Sequence, residues 1–194
     1  MEDFNLNYQT GDKPAAGKLL ISEPFMGDQN FNRSVVLICE HDNEVGTFGL
    51  VLNKELNLTL TDAVPNLHNF DTPLFFGGPV QQDTLHFVHK RKDLFEDCGT
   101  IMEGIYWSGD FELLKEMIST GEIREDEIRF FLGYSGWDVG QLEQEIKDDS
   151  WIITDSSIPI VFEMNPDLLW KYVLEDLGGN FKVMANFPTD PIFN

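Results

Sequence analysis

Hydrophobic residues along this chain fall into short runs parted by polar and glycine-rich breaks, and the period of the runs changes along the way. Leu19-Leu20-Ile21, closed by Pro24, predicts a short strand. Ser34-Val35-Val36-Leu37-Ile38-Cys39 is β-branched and nearly continuous, the pattern of a strand buried on both faces. A polar turn, His41 to Gly46, separates it from Thr47-Phe48-Gly49-Leu50-Val51-Leu52, so the pair predicts a hairpin with a longer loop. Leu74-Phe75-Phe76, ending on Gly77-Gly78-Pro79, Thr84 to His89, and Gly104 to Trp107 predict further strands. A helical turn is expected between Leu60 and Leu67, stopped at Pro65.

Helical spacing enters in the second half. Phe111, Leu114 and Ile118 share one face of a helix that starts near Ser108 or Asp110 and stops at Gly121. A second helix is expected with Asp138 as its N-cap and Gln141 in capping-box position, burying Leu142 and Ile146. A third has Asn165 as cap, Pro166 at its first position, Leu169, Tyr172 and Val173 on its apolar face, and Gly178-Gly179 at its end. Between the first two, the strand ending at Phe131-Leu132 is expected to run into a glycine-punctuated turn, Gly133-Tyr134-Ser135-Gly136-Trp137. Strands and helices do not alternate regularly, which predicts an α+β domain with a mixed sheet. Residues 1–16 read as a polar flexible leader and 17–194 as one domain.

Charge narrows the partners. With 34 acidic and 13 basic residues the formal net charge is −21, a field that opposes nucleic acid and anionic membrane and favours a basic partner protein. Lys90-Arg91-Lys92 is the one basic run, too short to make a DNA-reading face. The start Met1-Glu2-Asp3-Phe4 lacks the features of an export signal, no apolar run is long enough to span a membrane, and Cys39 and Cys98 read as unpaired thiols. A cytoplasmic location is the expectation.

Gly17-Lys18-Leu19-Leu20-Ile21-Ser22-Glu23-Pro24, then Asp28, Phe31 and Ser34-Val35-Val36, resemble the opening of the AlgH-like (YqgE) family. Glu40-His41-Asp42, Gly46, Gly49 to Lys54, Gly77-Gly78-Pro79-Val80, Gly133 to Trp137, Gly140 to Glu143, Trp151, Leu177-Gly178-Gly179, Phe187-Pro188 and Asp190-Pro191 continue the likeness in order. Asp138-Val139 departs from it, standing where the family more often has glycine and a small or proline residue. The resemblance implies a bacterial, single-domain α+β protein with a branched sheet surrounded by helices. Some members are labelled transcriptional regulators, though their biochemistry is undefined, and the label brings no DNA-binding motif with it.

Candidate chemistry is sparse. Gly133-Tyr134-Ser135-Gly136-Trp137 nearly matches the nucleophile elbow, but Trp137 stands where the second small residue is required, so a structural turn is expected. Cys39 and His41 supply two zinc-ligand types where three or four are needed, and His86 and His89, three apart in a strand, point to opposite faces. Gly77-Gly78-Pro79 lacks the rest of a phosphate-binding loop. No catalytic set, metal site or cofactor is assigned. The candidate binding residues are His41, Asn53, Gly77, Gly78, Tyr134, Ser135, Trp137 and Gln141, with Trp137 available for stacking and free amides near Val139 available to an anion. The leading expectation is a binding or regulatory protein that acts through protein contacts. The alternative is an enzyme or small-ligand binder using the Gly133–Gln141 turn.

Overall fold

The structure, a computed structural model, describes residues 10–188 apart from 66 and 69. Its strands in chain order are β1 (Lys18–Ser22), β2 (Val35–Asp42), β3 (Gly46–Val51), β4 (Glu55–Thr59), β5 (Pro73–Phe76), β6 (Val80–His89), β7 (Gly99–Met102), β8 (Ile105–Trp107), β9 (Ile128–Trp137) and β10 (Trp151–Asp155). The helices are α1 (Leu60–Ala63), α2 (Phe111–Thr120), α3 (Gln141–Lys147), α4 (Ile158–Phe162), α5 (Pro166–Leu177) and α6 (Gly179–Met184).

One mixed sheet runs β10-β1-β2-β3-β9-β6-β8-β7, with β4 and β5 off this path. The departure happens at β9. Its first half, Phe130–Leu132, pairs in parallel with Leu74–Phe76, while its second half, Ser135–Trp137, pairs antiparallel with Thr47–Gly49. Gly77 sits in the fork, its N–H donating to Leu132 O at 2.9 Å and its carbonyl accepting from Val51 N–H at 2.9 Å. A Cβ at Gly77 would collide with the Gly133 carbonyl and one at Gly78 with the Tyr134 backbone, which is the physical reason for two glycines here. The predicted tight strand end is therefore the branch point of the sheet.

Three apolar clusters hold helices to this frame. Leu19, Ile21, Val35, Leu37, Leu50 and Leu52 turn one way and meet Val161, Leu169, Trp170 and Val173 of α4 and α5. Leu20, Val36, Ile38 and Val51 turn the other way onto Leu142 of α3 and Trp151. Strands buried on both faces explain the nearly continuous β-branched run of β2. Leu74, Phe87 and Phe130 meet Leu114, Met117 and Ile118 of α2. Arg129, buried in β9, ties the layers together by donating to Val161 O at 2.6 Å and Leu52 O at 2.7 Å, with its guanidinium 3.9 Å from the centre of Phe75. Burial lowers its pKa to about 10, and the cation is retained at neutral pH.

Several elements differ from the sequence reading. Gly133 to Trp137 is strand, not turn: β9 continues to Trp137 because β3 offers it a second partner. α3 begins at Gln141 after Gly140, so Asp138 does not cap it; half of the capping box survives, the Gln141 side chain accepting from Asp138 N–H at 3.0 Å. Tyr172 is exposed on α5 rather than packed. Helix resumes straight after Gly178, giving α6, and Ser157 caps the short α4. Among the described residues of the expected leader, Thr10 donates its hydroxyl to Ile153 O at 2.7 Å, while residues 1–9 lie outside the description, as do Asp190 and Pro191.

Candidate functional site

Phe48 on β3, His86 on β6, Trp107 on β8 and Tyr134 on β9 are brought to one face by four strands that are distant in sequence. The Phe48 ring lies 4.7 Å from Trp107, 5.0 Å from Tyr134 and 5.4 Å from His86, centre to centre. Two glycines make room. Gly136 pairs with Phe48 and lets the Tyr134 ring lie close, and Gly99 pairs with Trp107, where any Cβ would collide with the indole. The half-buried rings open onto a cavity of about 560 Å³.

The cavity's rim carries the exposed carboxylates of Glu40, Asp42 and Asp138 and no lysine or arginine. Among the described residues none of these three carboxylates is in an ion pair. Asp42 accepts from Glu44 N–H at 2.7 Å and Val45 N–H at 3.1 Å, which fixes the β2–β3 turn and holds its carboxylate at the rim. Burial pushes the His86 imidazole below its ordinary pKa, so the ring is neutral at pH 7 and adds no repelling charge. Carboxylates without an ion-pair partner, set beside half-buried aromatic rings, make a surface that attracts cations.

Of the residues singled out in the sequence, Tyr134 lines this cavity with its ring. Trp137 borders it, but its indole is turned to the opposite face, 6.1 Å from Phe31 and 5.8 Å from Trp151, and donates to Glu145 Oε2 at 2.9 Å. Ser135 is fully buried and donates its hydroxyl to Gly77 O at 3.0 Å, so it is not presented as a nucleophile. His41 meets Thr47 Oγ1 through Nδ1 at 2.8 Å, and its Nε2 lies 3.6 Å from Glu143 Oε1. It braces the hairpin. Asn53 accepts from Val35 N–H at 2.8 Å and donates to Arg33 O at 2.9 Å, clamping the start of β2. Gly77 and Gly78 serve the fork, and Gln141 Nε2 donates to Glu145 Oε1 at 2.9 Å. The amides considered for an anion near Val139 lie before the helix, which starts at Gln141 without a side-chain cap, and Asp138 N–H is bonded to Gln141 Oε1. Cys39 is buried in the core, which pushes its thiol pKa up, and among the described residues no three His, Cys, Asp or Glu converge as metal ligands do.

Sequence reasoning missed Phe48, His86, Trp107 and the three rim carboxylates as one site. One signal was available: in a strand, residues 134 and 137 fall on opposite faces, so reading this stretch as β would have separated Tyr134 from Trp137.

The AlgH-like family profile matches residues 19–182. The chain belongs to the AlgH-like family. A UPF0301 protein of Cytophaga hutchinsonii is 47% identical over 179 residues, covering 92% of this chain and 98% of that one. A UPF0301 protein of Chlorobaculum parvum is 42% identical over 92% of this chain and 95% of its own length. The solution structure of the AlgH protein from Pseudomonas aeruginosa superposes with a TM-score of 0.72 at 26% identity, covering 91% of this chain and 97% of that one. A Corynebacterium diphtheriae protein shares the fold at a TM-score of 0.75 and 24% identity, covering 91% and 94% of the two chains. The branched α+β architecture is thus that of AlgH-like proteins, and its relatives are bacterial. No helix among the described residues is long and apolar enough to cross a membrane.

Proposed function

We propose that this AlgH-like protein is a protein-binding module whose Phe48–His86–Trp107–Tyr134 cage receives a lysine or arginine side chain from a basic segment of a partner. The observation that carries this reading is the pairing of packed aromatic faces with three unpaired carboxylates in a chain of net charge −21. A cation over such rings gains about 0.5–2 kcal/mol, and each exposed carboxylate adds up to about 1 kcal/mol. These terms sum to at most about 5 kcal/mol before the cost of association, so one captured cation supplies a grip of millimolar strength or weaker. The same field repels duplex DNA, so any effect on transcription passes through the partner.

The test is titration with a hexapeptide of glycine and serine carrying a single lysine. Binding is expected at low salt, and it should weaken in the Glu40→Gln/Asp138→Asn double variant and as salt rises. Lysine-independent binding, or equal affinity in the double variant, contradicts the reading.

A further inference from the structure

The cation cage adjoins a second and larger cavity of about 810 Å³, and His86 and Trp107 line both. The second cavity is walled by Val64, Leu85, Phe87, Phe111 and Leu132, the ends of α1 and α2 closing over β6. Its one lysine, Lys115, is already paired with Glu112 at 2.6 Å, and its mouth carries the exposed carboxylate of Asp83. The volume lies in the range of natural ligand pockets, about 300–1,000 Å³, and the walls are mainly apolar.

We propose that the two cavities form one groove for an extended partner segment that places a lysine or arginine in the cage and a leucine-sized apolar side chain in the larger cavity, two residues apart. This rests on the reading of the cage above and specifies the partner's chemistry. Three features support it. His86 and Trp107 line both cavities and so form the wall that the two share. In an extended chain residues i and i+2 point the same way and lie about 6.7 Å apart, enough to straddle that wall. The carboxylates of Glu40, Asp42 and Asp138 on one side and Asp83 on the other leave the groove net negative, its one lysine being paired with Glu112, so it suits a segment whose net charge is positive. A lone cation binds weakly, and the apolar anchor supplies the missing affinity.

Four hexapeptides on a glycine–serine background test this by NMR titration to millimolar concentration: Lys-Gly-Leu, Leu-Gly-Lys, lysine alone and leucine alone. One of the two-anchor peptides is expected to bind about 10- to 100-fold more tightly than lysine alone, the ratio that goes with burying one such side chain. Ala63→Trp, at an exposed position on the larger cavity's edge, should erase that gain while leaving the melting temperature and lysine-only affinity unchanged. If neither two-anchor peptide exceeds lysine alone, or if the gain survives Ala63→Trp, the groove is overturned and the cage stands. If no peptide binds through its lysine, the cage itself fails and the groove with it.

Discussion

Replacing Glu145 by leucine should destabilise the protein by about 1–5 kcal/mol, although Glu145 belongs neither to the cage nor to an apolar cluster. Its carboxylate is the shared acceptor for two buried indoles: Trp137 Nε1–H at 2.9 Å and Trp151 Nε1–H at 2.8 Å, both on Oε2. Its other oxygen accepts from Gln141 at 2.9 Å. Trp137 and Trp151 are only 5% and 2% exposed, so the indoles lose an acceptor that is largely shielded from water. Each stranded donor costs about 1–3 kcal/mol, and the packing of the new leucine returns roughly 1 kcal/mol. Glu145→Gln keeps one acceptor oxygen for the indoles but turns an amide N–H toward the donating Gln141, so a smaller loss, about 1 kcal/mol, is expected. Urea unfolding followed by tryptophan emission and by far-ultraviolet circular dichroism measures both variants. If Glu145→Leu falls within about 0.5 kcal/mol of the parent, the double indole clamp does not hold the end of β9, and the reasoning is wrong. The clamp bears on function because the segment it fixes includes Tyr134 and Gly136 of the cage.

Gly77→Ala should destabilise by about 3 kcal/mol or more, visible as loss of the cooperative melt, since its methyl group meets the Gly133 carbonyl in the sheet fork. Ser135→Ala should lose only about 1 kcal/mol, the value of one hydrogen bond, because Gly77 O keeps Val51 as donor; peptide binding should persist. Stability should fall as pH drops below about 6.5, the ordinary histidine value. His89 sits close to Ser108 O through Nε2 at 3.1 Å and to Arg91 N–H through Nδ1 at 3.2 Å, and burial holds its pKa down in the folded state. The unfolded imidazole therefore takes up its proton first, so the contribution is complete above pH 6.5 and is lost as pH falls toward the lowered value. His86 acts with the same sign, so His89→Gln should flatten part of the slope between pH 7 and 5 rather than all of it. Unfolding curves across that range check this, and an unchanged slope refutes it.

The elements that announced themselves were those whose character is local. β2 opens on the apolar, β-branched-rich run Val35 to Cys39, α2 carries its cap and its stop in Asp110 and Gly121, and α5 begins with Asn165-Pro166; each was readable without knowing its neighbours. β9 was not, because glycines normally signal a turn, and Gly133 and Gly136 are instead tolerated in a strand held by β6 on one side and β3 on the other. β4, β7 and β10 were overlooked because Glu55–Thr59, Gly99–Met102 and Trp151–Asp155 are short and owe their extended form to pairing. The site escaped for the same reason. Phe48 and Trp107 look like ordinary core aromatics until the sheet, which sets β9 and β6 between their strands, brings the two rings within 4.7 Å.

The most direct test of the cation cage is to follow the Trp107 indole N–H and the Phe48 and Tyr134 ring protons by NMR while the single-lysine peptide is added. Shifts centred on these rings and on Glu40, Asp42 and Asp138, abolished in Trp107→Ala without loss of fold, are the expected result. Shifts that cluster elsewhere on the surface, or peptide binding that is undiminished in Trp107→Ala, would contradict it.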